Sequence, residues 1–183
     1  MHSGFETDRL IVRPFELDDA PDVARMAGDR DIALMIGGAL SPYPVIAAEI
    51  WILGVRAGWH TRPAPNYAFA TTDKAGQLVG SVGVFKRKPD QADWEIGYWV
   101  GKPYWGQGYA TEAGRGLMAW ARQTLGATDF DASHFDDNPA SGKVLEKLGF
   151  AYSGDSRPQF SIARMAYATS LTMVCETDGM QAD

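Results

Sequence analysis

The stretch Glu95-Ile96-Gly97-Tyr98-Trp99-Val100-Gly101-Lys102-Pro103-Tyr104-Trp105-Gly106-Gln107-Gly108-Tyr109-Ala110-Thr111-Glu112-Ala113 organises the chain. Residues 95–100, rich in aromatic and β-branched side chains, read as a strand. A loop follows with Gly101, Pro103, Gly106 and Gly108. Apolar residues then recur at Ala110, Ala113, Leu117, Ala121 and Leu125, the three- and four-residue spacing of a helix. Strand, glycine loop and helix start together present bare backbone N–H groups at a positive helix end, which suits a phosphate. The reading is a phosphorylated ligand held at residues 106–111.

Two familiar glycine loops fail on the residues. The G-x-x-x-x-G-K-S/T pattern finds its glycines at Gly101 and Gly106, but Gln107 and Gly108 stand where Lys and Ser/Thr are needed. The G-x-G-x-x-G pattern finds Gly106 and Gly108, then meets Thr111, with no clear acidic ribose ligand about 20 positions on. A plain strand-to-helix turn would need only two glycines, and would not set Tyr104, Trp105 and Tyr109 beside them.

The stretch resembles the acyl-CoA-binding motif of the GNAT superfamily of N-acyltransferases, Gln/Arg-x-x-Gly-x-Gly/Ala, which reads here Trp105-Gly106-Gln107-Gly108-Tyr109-Ala110. Trp105 departs from the first position. The wider string, from Gly97-Tyr98-Trp99-Val100 through Ala113, is similar to the branch that includes the ribosomal-protein N-terminal acetyltransferases, which commonly tolerates an aromatic there. A second block, Asn138-Pro139-Ala140-Ser141 followed by Val144-Leu145-Glu146-Lys147-Leu148-Gly149-Phe150, is also similar to a family block.

Working outward, residues 67–72 and 77–88 read as strands joined by the turn Asp73-Lys74-Ala75-Gly76. Farther upstream come a strand over 8–15, a helix opening at Asp18-Asp19-Ala20-Pro21 with an acidic cap, a helical patch over 31–36, and a helix over 45–57. Downstream are a strand over 128–135 and a helix capped by Asn138, with Pro139 first and Ser141 third. Ala140, Val144, Leu145 and Leu148 form its apolar face, and Gly149 follows its end. Residues 151–153 and 162–173 hold the final strands, with 154–158 as the connecting loop. The polar tail from about 176 reads as frayed. This order matches the GNAT arrangement: an α+β (α/β three-layer) fold, its mixed, mostly antiparallel sheet flanked by helices and splayed at the acyl-CoA site. Residues 1–183 read as one domain.

Net charge of −6 argues against a nucleic-acid partner, and no apolar run approaches the ~18 residues of a membrane span. The N-terminus lacks the basic and apolar regions of a secretory signal. The lone Cys175 permits no internal disulfide and has no nearby His, so a cytoplasmic protein with an idle thiol is expected. His2, His60 and His134 are scattered, and the acidic run Asp129, Asp131, Asp136 and Asp137 lacks the marks of a calcium loop, so no metal is expected. The acidic run reads as a strand with its acidic positions on one face.

The resemblance implies acetyl-CoA as cosubstrate, a primary amine as acceptor (a protein N-terminus or a small molecule), direct attack in a ternary complex, and a monomer or homodimer. It places a bulged, splayed strand at Tyr98, Trp99 and Val100, whose main chain pairs with pantetheine and polarises the thioester carbonyl. It gives the pyrophosphate to the amides of Gly106, Gln107, Gly108, Tyr109, Ala110 and Thr111, beside Trp105. Asn138 contacts the pantetheine arm, and Ser141 protonates the departing sulfur. A serine in the first helical turn that faces nothing is the alternative for Ser141.

An amine of pKa ~8 to ~10.4 must lose a proton before it attacks, so the site needs a base. Glu95, just ahead of the loop, is the candidate, acting through water; Asp93 is the reserve. The alternative for Glu95 is an exposed carboxylate paired with Lys or Arg. Trp51, Trp59, His60, Asp155 and Arg157 are candidates for the acceptor pocket; for the tryptophans, core packing is the alternative. A non-catalytic acyl-CoA-binding or sensing protein is the competing function.

Overall fold

The computed structural model describes residues 4–60, 66–86 and 94–176. Its strands are β1 (Phe5–Glu6), β2 (Leu10–Pro14), β3 (Asn66–Asp73), β4 (Leu78–Phe85), β5 (Trp94–Val100), β6 (Phe130–Phe135), β7 (Ala151–Ser161) and β8 (Ala166–Cys175). Its helices are α1 (Ala20–Ala27), α2 (Arg30–Ala33), α3 (Val45–Gly58), α4 (Tyr109–Leu125) and α5 (Pro139–Lys147). The strands form one sheet in the order β1-β2-β3-β4-β5-β6-β8-β7. Every neighbouring pair is antiparallel except β5 and β6, which α4 joins as a crossover.

Helices cover both faces. On one face Leu117 and Ala121 of α4 and Leu145 of α5 are buried with Tyr67, Phe69, Ile96 and Phe130 of the sheet. On the other, Val23 of α1 and Ile52 of α3 are buried with Phe15, Ala68, Ala70 and Leu78. Burying each such aliphatic side chain is worth about 1.5–3 kcal/mol, so the two clusters hold the sheet between its helices. β3 and β4 are buried on both faces, so β4 and the Tyr67–Ala70 part of β3 read as apolar runs rather than alternating ones.

The element positions depart from the sequence expectations in ways that have causes. The strand expected over 8–15 runs over Leu10–Pro14 as β2, and the two-residue β1 pairs with it through Phe5↔Val12 and Glu6↔Ile11. Asp19 makes no side-chain cap; it accepts the Arg13 guanidinium at 2.8 and 2.7 Å and the Glu16 amide at 2.8 Å. The helical patch over 31–36 shortens to α2, with Asp29 capping the Asp31 amide. The strand expected over 77–88 ends at Phe85, and 87–88 lie outside the described residues. The tail beyond 176 and Asp93 lie outside them as well. Asp131 belongs to β6, whereas Asp136 and Asp137 follow its end.

The largest correction concerns 154–158. This is not a loop but part of β7, which pairs with β8 from Ala151↔Val174 to Ser161↔Ala166. A register shift between Tyr152 and Ser156 absorbs Gly154 at φ 88°, and Pro158 is tolerated because β7 is an edge strand. The chain reverses instead at 162–165, with Met165 at φ 51°.

Candidate active site

β4 pairs with β5 along its length, from Gly80↔Val100 to Phe85↔Glu95, without a register shift. β6 pairs with β5 only at Trp94↔Phe130 and Glu95↔Asp131. Beyond Glu95 the two strands part. The splay is therefore present, but the expected bulge at 98–100 is not; the shift in this part of the sheet lies between β3 and β4, at Thr71/Thr72. A cavity of about 1460 Å³ opens at the fork. Its walls include Glu95, Tyr98, Trp99 and Val100 of β5, the glycine loop, Ser133 of β6, and Asn138 and Ser141 at the start of α5.

The glycine loop has the geometry its sequence requires. Gly106 and Gly108 take φ values of 74° and 81°, with Gly108 as the left-handed N-cap of α4. A side chain at such a φ is strained, so glycine is the residue that turns the chain here. The first helical bond is Glu112 N–H to Gly108 O at 3.0 Å, so no backbone acceptor is taken by the amides of 106–111 among the described residues. Free amides at the positive end of a 17-residue helix can receive a pyrophosphate.

The loop is braced from three sides. Trp105, which stands where Gln or Arg is commoner, donates its indole N–H to Val100 O at 2.7 Å and so ties the loop back to β5. Gln107 donates from Nε2 to Pro103 O at 3.2 Å. Arg9 donates to Gln107 O at 2.9 Å and to Glu112 at 2.7 Å, with its guanidinium 4.7 Å above the Tyr109 ring. The aromatics beside the glycines thus hold the loop's shape.

Glu112 also accepts the Thr7 hydroxyl at 2.6 Å and the Arg9 amide at 2.9 Å. Burial alone would raise its pKa, but the hydrogen bonds from Thr7 and Arg9 outweigh that and lower it. A depressed carboxyl contributes stability above its unfolded value of ~4.3 and loses it as pH falls through the lower folded value. The stability difference between the native protein and Glu112→Gln, measured by denaturant titration, is accordingly expected to shrink between pH 7 and pH 3.

At the fork, Glu95 is 5% exposed, which removes the reading of an exposed strand carboxylate. Its partner of opposite charge is real: Arg157 lies 3.7 Å away, and Ser133 Oγ, itself 3.2 Å from Arg157, donates to Glu95 Oε1 at 3.1 Å. The helix cap at α5 is as the sequence implies, Asn138 Oδ1 accepting the Ser141 amide at 3.2 Å. Ser141 does not face nothing: its Oγ lies 2.9 Å from the Tyr98 hydroxyl, which also donates to Ser141 O at 3.0 Å. Burial pushes the Tyr98 phenol up to about 12, opposed by the Ser141 hydrogen bond. Ala140 is exposed and does not join the apolar face of α5.

The candidate acceptor residues divide. Trp51 lines the cavity and meets Phe15 edge-on at 4.9 Å. Trp59 does not line it; it packs against Phe69 and Tyr67 at 5.0 and 5.7 Å. His60 is exposed at the end of α3, and Asp155 is exposed on β7, bonded to Ser153. Residues missed from the sequence close the far wall. Arg164, in the turn before β8, donates to Leu34 O at 3.0 Å and bidentately to Asp137, and Ile162 N–H reaches Gly37 O at 3.1 Å. This latch fixes residues 34–38 beside the cavity they line. Arg164→Ala is expected to raise the KM for the acceptor several-fold and leave CoA affinity unchanged, as steady-state kinetics and titration would read.

Among the described residues no group of three or more His, Cys, Asp or Glu side chains could hold a metal ion, and no helix is long and apolar enough to cross a membrane. Cys175 is buried, which pushes its thiol pKa up.

A splayed sheet with free amides at the start of the following helix is the arrangement that the resemblance implies for an acyl-CoA site. The family model described as an acetyltransferase (GNAT) domain matches residues 9–151, so the chain belongs to the GNAT acetyltransferases and is an acetyl-CoA-dependent N-acetyltransferase. It is 26% identical over 150 residues to the uncharacterized N-acetyltransferase YoaA of Bacillus subtilis (strain 168), covering 81% of this chain and 83% of that one. Mycobacterium smegmatis RimJ in complex with CoA-disulfide superposes with a TM-score of 0.80 at 20% identity, over 95% of this chain and 85% of that one. The microcin C7 self-immunity acetyltransferase MccE, in complex with acetyl-CoA and AMP, does so at 0.81 and 15% identity, over 96% and 97%.

Proposed function

We propose that the protein transfers the acetyl group of acetyl-CoA to a primary amine, a peptide or protein N-terminus or a small molecule, by direct attack in a ternary complex. One observation carries this reading: the buried Glu95 carboxylate lines the same cavity as Gly106 and residues 108–111, whose amides are free, at the point where β5 leaves β6. Donor and base therefore meet in one space.

In this account the 106–111 amides hold the pyrophosphate. The unpaired edge of β5 beyond Glu95 holds the pantetheine through the main chain of 98–100 and polarises the thioester carbonyl, and Asn138 contacts the same arm. Glu95 takes the amine proton through water, which fits a carboxylate braced by Ser133 and Arg157 rather than one free in solvent. Ser141 donates to the departing sulfur. Among the described residues no activated nucleophile beside the cavity calls for an acyl-enzyme; the one cysteine is buried with a raised thiol pKa.

The test is thiol release from acetyl-CoA with an amine panel: peptides beginning with Ala or Ser, phenethylamine and spermidine. Acetylation of at least one amine, with mass added at its nitrogen, is expected. Saturable CoA binding without turnover on any of them favours a non-catalytic acyl-CoA sensor.

A further inference from the structure

We propose that the Tyr98 hydroxyl is a positioning residue for catalysis, turning the Ser141 hydroxyl toward the departing sulfur. The inference rests on the reading of Ser141 as the donor to that sulfur. Tyr98 stands on β5 and Ser141 in the first turn of α5, so their contact crosses the fork between the two strands. A phenol has one proton, and two oxygens of the same residue compete for it: Ser141 O at 3.0 Å and Ser141 Oγ at 2.9 Å.

When Tyr98 donates to the carbonyl, the serine can spend its own proton on the phenol oxygen, which turns it from the cavity. When Tyr98 donates to Oγ, the serine proton is released to point elsewhere. A rotation of one O–H bond thus separates a silent Ser141 from a donor. The backbone of the serine is held in place, its amide bonded to Asn138 Oδ1 at 3.2 Å and Asn138 O at 3.1 Å. Burial keeps the phenol protonated well above neutral pH, so the proton that must rotate is always present.

The nitrogen–carbon bond forms and the carbon–sulfur bond breaks. The electron pair leaves on sulfur, where the Ser141 O–H stabilises it by a hydrogen bond. The ammonium gives one proton through water to Glu95 before attack, and the nitrogen gives a second to solvent as the amide forms; the sulfur takes one proton from solvent, and Glu95 returns its own there. Neither Tyr98 nor Ser141 ends the cycle deprotonated.

The experiment is a double-mutant cycle on the single-turnover rate of thiol release, with acetyl-CoA and the fastest amine of the panel above. Ser141→Ala is expected to slow release about tenfold and Tyr98→Phe about three- to tenfold, the worth of one hydrogen bond. The double variant is expected to be no slower than Ser141→Ala, and CoA affinity to be unchanged in all three. Full turnover in Ser141→Ala overturns the reading of Ser141, and the inference with it. A slow Ser141→Ala beside an unaffected Tyr98→Phe, or effects that multiply in the double variant, overturns the role of Tyr98 alone. Should Tyr98→Phe not fold, 3-fluorotyrosine at position 98 serves, expected to change the rate only when Ser141 is present; a change that persists in Ser141→Ala overturns the inference.

Discussion

Glu95→Gln is expected to lower the rate of acetyl transfer about a hundredfold at pH 7, within the range attributed to a general base. The loss should be largest at low pH, where the amine is protonated and depends most on the carboxylate. It should narrow as pH approaches the amine's own pKa of ~8 to ~10.4, where free amine is available without help. Acetyl-CoA affinity should be unaffected, since the 106–111 amides belong to the loop and helix start that follow β5 and do not involve the Glu95 carboxylate. Glutamine keeps the shape and can still accept from Ser133, so a change in rate without a change in thermal stability isolates proton transfer from packing. A pH–rate profile parallel to that of the native protein removes Glu95 from the mechanism.

The second large effect is expected at Gly108. Its φ of 81° at the N-cap of α4 is a left-handed conformation that a β-branched residue adopts only under strain. Gly108→Val should turn the loop amides out of alignment and weaken CoA binding by about a hundredfold, measured by titration calorimetry. The cost reaches stability too, about 1–2 kcal/mol for one left-handed residue. An ideal Cβ there lies 3.5 Å from an Arg9 nitrogen, an ordinary contact, so the penalty is conformational and not a clash. Native affinity in this variant would show that the amides do not hold the donor.

Much of this arrangement is legible in the sequence, and the reason is local. β5, the glycine loop, α4 and the Asn138 cap each rest on residues adjacent in the chain, whose periodicity and turn chemistry point one way. What escapes is either too short or too distant. β1 has two residues and α2 four, below the length at which a period can show. Gly154 and Pro158 resemble a loop because a strand bulge and an edge position, both properties of the sheet, are what make them tolerable in β7. From its strand alone Glu95 reads either as a base or as an exposed, paired carboxylate; Ser133 and Arg157, which contact it, stand on strands that follow much later. Tyr98 enters from sequence through its main chain only, because Ser141 lies 43 residues away and nothing in either segment announces the other. The latch of Arg164 on Leu34 and Asp137 is hidden for the same reason.

Backbone amide chemical shifts during titration with CoA show whether one cleft receives acetyl-CoA with its pyrophosphate on the 106–111 amides. Saturable shifts are expected, largest at 106–111 and 98–100, with ATP and NAD binding far more weakly. Shifts confined to another face of the protein, or tight binding of ATP or NAD without binding of CoA, would contradict that placement.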